Sequence, residues 1–361
     1  MNRKFVFIVI LVVLLSGVAI SVYFKKTREV PRVETISLDG VLNFRPKDLC
    51  FINMYKDKLL ISTKKNIGAT NSYIYIYNLS SRKTIDIIEV DGAVISLPSM
   101  SENFVVWCSS SDMPSASGVY IYNLVKKEKN LIYSNLEMDG EIRNAVMSNR
   151  TIVWEFYRYA DENKFVLCPP DIYGYDLVTE EKFPIPSEAE FKTNIRMAPK
   201  IYGNTVIWED GQRGGICGYN LATKEGFVLP RHADKNYMEI WEDKIVYASD
   251  GVLFYYNITT KKELKFGSIE TTSAIDLWGS KIVWSKVEES SDISGGETWL
   301  YDLSTGNKKL LWEKRGPKPE GFYHFYPVMY ICMYDSTVVW IGGGVSPEGV
   351  IPTDLYCIRL G

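Results

Sequence analysis

One short hydrophobic run ending in an aromatic residue recurs along the chain, and it constrains the fold more than any other feature. The copies are Phe104-Val-Val-Trp107, Thr151-Ile-Val-Trp154, Thr205-Val-Ile-Trp208, Lys244-Ile-Val-Tyr247, Lys281-Ile-Val-Trp284 and Thr337-Val-Val-Trp340, with a degenerate first copy at Leu59-Leu-Ile-Ser62. Five of the nine Trp residues occupy this single position, which chance placement does not produce. β-Branched and aromatic content of this kind, in runs this short, marks strands rather than helices.

A second run follows each copy. It reads Tyr75-Ile-Tyr-Asn-Leu79, Tyr120-Ile-Tyr-Asn-Leu124, Tyr173-Gly-Tyr-Asp-Leu177, Cys217-Gly-Tyr-Asn-Leu221, Phe254-Tyr-Tyr-Asn-Ile258, Trp299-Leu-Tyr-Asp-Leu303 and Tyr356-Cys-Ile-Arg-Leu360. Short polar turns such as Ser80–Lys83, Thr259–Lys262 and Ser304–Asn307 come next, then a further strand, as in Lys83–Ile88 and Lys308–Trp312. The Asn or Asp at the strand end suits a tight hairpin, because its side chain accepts hydrogen bonds from the turn backbone. An apolar stretch precedes each first run, as at Ala93–Leu97 and Ile142–Met147. Each unit is therefore four antiparallel strands, and it recurs about once every ~40–50 residues, the period of a propeller blade. Seven such units predict an all-β, seven-bladed β-propeller of four-stranded blades. The last unit ends at Gly361 without its outer strand, and one strand, Val33–Asp39, is left over before the first. The N-terminal strand is expected to complete the last blade and close the ring, removing open edges.

On these Ile-Val-Trp and Tyr-Asp-Leu motifs, residues 33–361 resemble the TolB-type and WD-like propeller repeats of exported, membrane-anchored bacterial and archaeal proteins. The Gly-His and Trp-Asp pairs of WD repeats and the Pro-Asp-Gly turn of TolB blades are missing. The resemblance implies the fold; a fold alone does not imply an activity.

The N-terminal segment, 1–28, reads differently. Phe5–Phe24 is an unbroken uncharged run, flanked by Arg3 and Lys4 on one side and Lys25, Lys26 and Arg28 on the other. As a helix it would reach ~30 Å, the thickness of a bilayer core. A signal peptide has a shorter apolar region and a small-residue cleavage site; the one weak site, Ala19-Ile20-Ser21, lies inside the run. The favoured reading is an uncleaved transmembrane signal anchor over 1–28, with the propeller, 29–361, outside the cytoplasm. A cleaved signal and a cytoplasmic domain on a tail are the alternatives. Residues 1–28 hold five Lys/Arg and no acid, leaving 36 basic and 44 acidic residues in the remainder, a net of −8. A near-neutral chain with an acidic body lacks the basic footprint of a nucleic-acid binder.

In a propeller the connections between second and third strands share one face with the connections between blades. Here the former are long and irregular: Thr63–Asn71, Cys108–Ser117, Glu155–Pro170, Glu209–Gly214, Ser285–Gly296 and Ile341–Pro352. Variable loops on a rigid scaffold are where binding usually sits. Glu155–Pro170 offers Phe156, Tyr157, Arg158 and Tyr159, a set suited to stacking on sugars or to a protein hot spot, or to a small core within the loop. Arg143 precedes Trp154, and Arg196 precedes Trp208, at nearly matching positions of successive units. They are candidates for a guanidinium pair at the channel that binds carboxylate or phosphate, or for partners of nearby acids such as Glu141 and Glu190. Arg213, between Gly211 and Gly214, is a third cation. His232 and His324 sit near inter-blade connections, and His324 joins the candidate ligand-binding residues. Two histidines in the whole chain exclude a histidine-rich metal centre. The six Cys show no paired Cys-x-x-Cys spacing; a Cys50–Cys332 bond between first and last blades is one way to reinforce closure. No catalytic residue, metal site or cofactor is expected, since no nucleophile elbow, phosphate loop or metal-type spacing is present. Two readings follow: a non-catalytic module binding a protein or an envelope polysaccharide, and a carbohydrate-active lyase or glycosidase working at the channel mouth.

Overall fold

The computed structural model describes residues 33–36 and 49–360, apart from 65–70, 92, 95–96, 111–116, 139, 161–167, 187–195, 212–214, 233–236, 269–271, 290–292, 318–323 and 347–348. The apolar run Phe5–Phe24 lies outside the described residues. Among the described residues, no helix is long and apolar enough to cross a membrane.

The repeats fold as a β-propeller of seven antiparallel sheets. Blade 1 is Leu49–Tyr55, Lys58–Lys64, Asn71–Asn78 and Lys83–Asp91. In blade 2 the inner strand comes in two pieces, Ala93–Val94 and Ser99–Met100, both paired with Phe104–Ser110, followed by Gly118–Asn123 and Glu128–Ser134. Pro98 stands at the break, where its missing N–H cannot serve the ladder. Blade 3 is Gly140–Ser148, Thr151–Arg158, Asp171–Asp176 and Glu181–Pro184. Blade 4 is Arg196–Tyr202, Thr205–Asp210, Gly215–Asn220 and Gly226–His232. Blade 5 is Met238–Trp241, Lys244–Ser249, Val252–Asn257 and Lys262–Ser268. Blade 6 is Thr272–Trp278, Lys281–Glu289, Ile293–Asp302 and Asn307–Pro317. In blade 7, His324–Tyr334, Thr337–Ser346 and Gly349–Arg359 are joined by Val33–Ile36, which pairs antiparallel with the third strand, Val33 opposite Ile358 and Ile36 opposite Leu355. Residues 37–39 of the expected N-terminal strand lie outside the described residues.

The core consists of seven apolar clusters, and each joins two neighbouring blades. One of them packs Ile52, Leu59, Ile61 and Tyr75 of blade 1 against Cys332, Val339 and Leu355 of blade 7, so last and first blades meet. Side chains of the central strands alternate between the two neighbours. The recurring aromatic always turns to the preceding blade: Trp107 to blade 1, Trp154 to blade 2, Tyr247 to blade 4. It also lies on its cross-strand partner in the third strand, with Trp107 on Tyr120 at 5.5 Å and Trp340 on Tyr356 at 5.4 Å between ring centroids. Such pairs stabilise beyond the area they bury. In blade 1 the register gives that place to Ile61, which opposes Tyr75, and not to Ser62; with no aromatic to anchor the alignment, the sequence reads one residue late.

The short turns explain the rest of the motif. The Asn or Asp accepts from the turn backbone in all six hairpins between third and outer strands, through Asn78, Asn123, Asp176, Asn220, Asn257 and Asp302. The Leu or Ile that follows donates its N–H to the carbonyl of the turn between inner and second strands in every blade, from Leu79 to Asp57 at 2.8 Å through Leu360 to Ser336 at 2.6 Å. One face of the ring is thus a set of uniform turns tied to each other.

The opposite face departs from the sequence expectation in two blades. Ser285–Gly296 is mostly a hairpin, with strands paired out to Glu289 and Ser294; Ile341–Pro352 is another, paired out to Ser346 and Gly349. The alternation simply continues past the aromatic. Much of the other four connections lies outside the described residues.

Candidate functional site

Blades 3 and 4 bring together most of the candidate residues. Phe156, Tyr157 and Arg158 belong to the end of the second strand of blade 3 rather than to a loop, since they pair with Ile142, Glu141 and Gly140 of the inner strand. Phe156 is buried, packed edge-on against Tyr173 at 5.5 Å; Arg158 is exposed at the exit of the strand.

Arg143 is on the inner strand of blade 3. Its Nε donates to Glu141 at 3.1 Å, its guanidinium lies 4.8 Å from the Tyr157 ring centre, and 44% of its side chain stays exposed. Burial pulls its pKa down, but the Glu141 carboxylate outweighs this and the net shift is upward. Tyr157 donates its hydroxyl to Glu155 at 3.0 Å, and burial, then that carboxylate, push the phenol well up. The other Glu155 oxygen accepts from the backbone N–H of Ala198 in blade 4. Glu155 is itself buried. Ala198 has φ 51° in an inner-strand irregularity between Met197 and Lys200, matching Asn144, φ 50°, between Arg143 and Val146. Glu155 therefore straps blade 3 to the bulge of blade 4. Sequence reasoning passed over it; the signal was an acid placed directly after the Trp in blades 3 and 4 only, Glu155 and Glu209.

Arg196 is placed quite differently. It is 4% exposed, donates to the Ile185 carbonyl at 2.8 Å, pairs with Asp171 and lies 5.6 Å from the Trp208 ring centre. Burial pulls its pKa down to about 10. Its contacts to blade 3 make it a clamp between blades. The register gives the reason: Arg196 opposes Asp210, and its counterpart in blade 3 is Ile142, opposite Phe156, whereas Arg143 opposes Glu155. The offset of one residue turns the two side chains to opposite sides of their strands. Arg143 and Arg196 share no partner among the described residues.

Arg213 lies outside the described residues. His324 begins the inner strand of blade 7, opposite Val345, while His232 ends the outer strand of blade 4, opposite Gly215. Cys332 is a free, buried thiol, so no Cys50–Cys332 bond forms; burial pushes that thiol up. Among the described residues, no group of three or more His, Cys, Asp or Glu is placed to hold a metal ion.

The chain matches no known family profile and no curated protein. Solved structures do match. An oligogalacturonate lyase from Vibrio parahaemolyticus is 13% identical, over 92% of this chain and 97% of that one, with TM-score 0.57. The β-propeller domain of the Trilobed protease from Pyrococcus furiosus, described as having an open velcro topology, is 12% identical over 87% and 95%, TM-score 0.57. The WD40 repeats of RRP9 are 11% identical over 91% and 100%, TM-score 0.55. At these identities the likeness shows the propeller fold alone.

Proposed function

We propose that this chain is a membrane-anchored propeller standing outside the cytoplasm. In this reading it is a non-catalytic module that binds a protein or an envelope polysaccharide through the face bearing the long second-to-third-strand connections. The observation that carries the reading is the inequality of the two faces. The short-turn face satisfies its own backbone with Asn and Asp side chains and turn-to-turn bonds. The other face has connections of varied length and offers the half-exposed Arg143 on Tyr157, with Arg158 beyond. The apolar run Phe5–Phe24 supports the anchor. Val33 opposes Ile358, which opposes Val338, two residues from the Asp335–Ser336 turn; the chain thus enters the propeller level with the short turns. In the same reading, Val33–Ile36 is the latch that holds the ring shut.

The test is photocrosslinking in membranes, with the full chain carrying a photoreactive residue in place of Arg158 or of Val178, a 68% exposed short-turn residue. Adducts from position 158 and none from 178 are expected. Adducts from 178 alone would overturn the assignment of the face.

A second reading, a carbohydrate-active propeller, is favoured by the cation-on-aromatic geometry of Arg143 and Tyr157 and by the shared fold with oligogalacturonate lyase. Acidic oligosaccharides would then raise the unfolding temperature, a ligand at a hundred times its Kd contributing about 2.7 kcal/mol. Loss of that rise in Arg143→Ala, together with turnover, would establish it. No rise with any oligosaccharide would remove it.

A further inference from the structure

One residue of each innermost strand occupies the same register, opposite the residue that precedes the aromatic position of the second strand. The seven are Asn53, Ser99, Val146, Lys200, Glu239, Asp276 and Cys332. They form a belt, most of them reaching to the next blade. Asn53 Nδ2 donates to the Pro98 carbonyl at 3.1 Å, Ser99 Oγ accepts from Met147 N at 3.2 Å, Lys200 pairs with Glu239, and Asp276 Oδ2 accepts from Met333 N at 2.6 Å. Cys332 packs into the cluster shared with blade 1.

The belt is neutral on blades 1, 2, 3 and 7 and charged on blades 4, 5 and 6. Along the charged arc one cation serves two acids. Lys200 is engaged by Glu239, and among the described residues Asp276 pairs with no cation. Asp276 repeats part of the local geometry of Asn53: each side chain accepts from the next residue's N–H, Met54 at 2.6 Å and Leu277 at 2.7 Å, and each bridges to the following blade, Asn53 as donor to the Pro98 carbonyl and Asp276 as acceptor from Met333 N–H. Asn53 does this with a neutral amide. Asp276 is half-buried, and a carboxylate with no counter-charge there is costly unless it takes up a proton.

We propose that Asp276 is a proton-binding carboxyl built into the inner ring, and that the seam between blades 6 and 7 is tightest when it is protonated and loosens when it ionises beside Glu239. The groups facing it from the packed strands are Glu239 and, behind it, Lys200, with the Cys332 thiol on blade 7. That thiol, pushed up by burial and then by Asp276, is neutral and offers no counter-charge. Burial first and Glu239 second push Asp276 up from 3.8 to about 8, against the two backbone N–H groups and Lys200. The sign follows. The folded ring holds a proton that the unfolded chain releases above about 4, so this stabilisation is complete below that pH and is lost as pH rises towards 8. Carboxylates with lowered pKa, such as Asp243 and Asp302, act in the opposite sense, so variants must be compared with the parent.

The experiment is denaturant unfolding of the full chain in detergent, from pH 5 to 9 at fixed ionic strength. One proton weakens folding by about tenfold in the unfolding constant per pH unit across the window. Asp276→Asn is expected to remove that component. Glu239→Gln releases Lys200 to neutralise Asp276 and shifts the decline to lower pH. Lys200→Met removes the cation that acts on Asp276 among the described residues and shifts it to higher pH. These opposite shifts carry the test even if Asp276→Asn does not fold. An unchanged pH profile in both variants, or shifts in one direction, would overturn the proposal.

Discussion

At the end of the repeated hydrophobic run, blade 3 carries Trp154 and blade 5 carries Tyr247, both fully buried and both turned to the preceding blade. The indole N–H of Trp154 has no acceptor among the described residues, and those of Trp107, Trp208 and Trp340 are alike in this. The Tyr247 hydroxyl instead donates to Glu263 of its own outer strand, whose other oxygen accepts from Arg231 of blade 4 at 2.7 Å. The place held by Glu263, opposite Tyr256, is held by Lys129, Lys182 and Lys308 in blades 2, 3 and 6. These ammonium groups lie over aromatic faces: Lys182 is 5.4 Å from the Tyr173 ring centre and Lys308 is 4.9 Å from that of Trp284. A ring face attracts a cation; a phenol O–H needs an acceptor. In blades 2, 3, 5 and 6 the aromatic and the outer-strand charge thus match, whereas blade 4 sets Gly226 at that place. Blade 3 is held by volume and blade 5 by volume and a polar chain.

The largest effect expected is from Trp154→Ala. Removing an indole from a closed cluster costs about 3–5 kcal/mol, and chemical denaturation should show the midpoint fall by that amount. Tyr247→Ala should cost at least as much, since it also removes the hydroxyl that donates to one oxygen of Glu263. A Trp154→Ala loss under about 1 kcal/mol would mean that the blade interfaces are not set by these residues.

Next comes a substitution that overfills rather than empties. Gly174 and Gly218, in the third strands of blades 3 and 4, oppose Phe183 and Phe227, whose rings lie over them. A Cβ at Gly218 would meet the Phe227 ring at 2.2 Å. Gly218→Ala should cost about 1–3 kcal/mol, and Phe227→Ala in the same chain should recover part of it. Blade 5 has Tyr255 opposite Leu264 at that place, so Leu264→Ala alone should be mild.

Local features of the propeller were legible in the sequence, and relations between strands were not. The aromatic runs, the Asn/Asp-Leu ends and the polar turns are contained within a few residues each, so alternation and turn chemistry identify them. The inner strands are broken by Pro98 and by the irregularities at Asn144 and Ala198, and a slip of one residue reverses which way a side chain points. For that reason Arg143 and Arg196 look equivalent in the sequence while one is half-exposed and the other buried. Glu155, Asp276 and the alternation of Lys with Glu263 have meaning only once the register is known, although the constant spacing of that outer-strand charge from the Asn or Asp was there to be read.

Tyr247→Phe sharpens the comparison. It keeps the ring and deletes the hydroxyl, at a cost of about 1.5 kcal/mol, the low end for a hydrogen bond to a charged acceptor, because Glu263 retains Arg231 and some contact with water. Trp154→Tyr should cost more. It adds a buried hydroxyl in a blade whose outer strand offers Lys182, a donor, in place of a carboxylate. Equal losses in the two variants would show that the Tyr247–Glu263–Arg231 chain contributes nothing specific.

The smallest effect expected is at the seam between blades 7 and 1, where Arg82 of the blade 1 turn pairs with Glu34 of the N-terminal strand at 2.8 Å. Both side chains are well exposed, so the pair is hydrated and screened, and Arg82→Ala should cost under about 1 kcal/mol, less still in high salt. The apolar cluster at the same seam predicts the reverse for Ile61→Ala, about 2–5 kcal/mol and independent of salt. If Arg82→Ala were the more damaging of the two, the N-terminal strand would be held by its charge, and the seam would resemble the polar chain of blade 5 more than the apolar packing of blade 3.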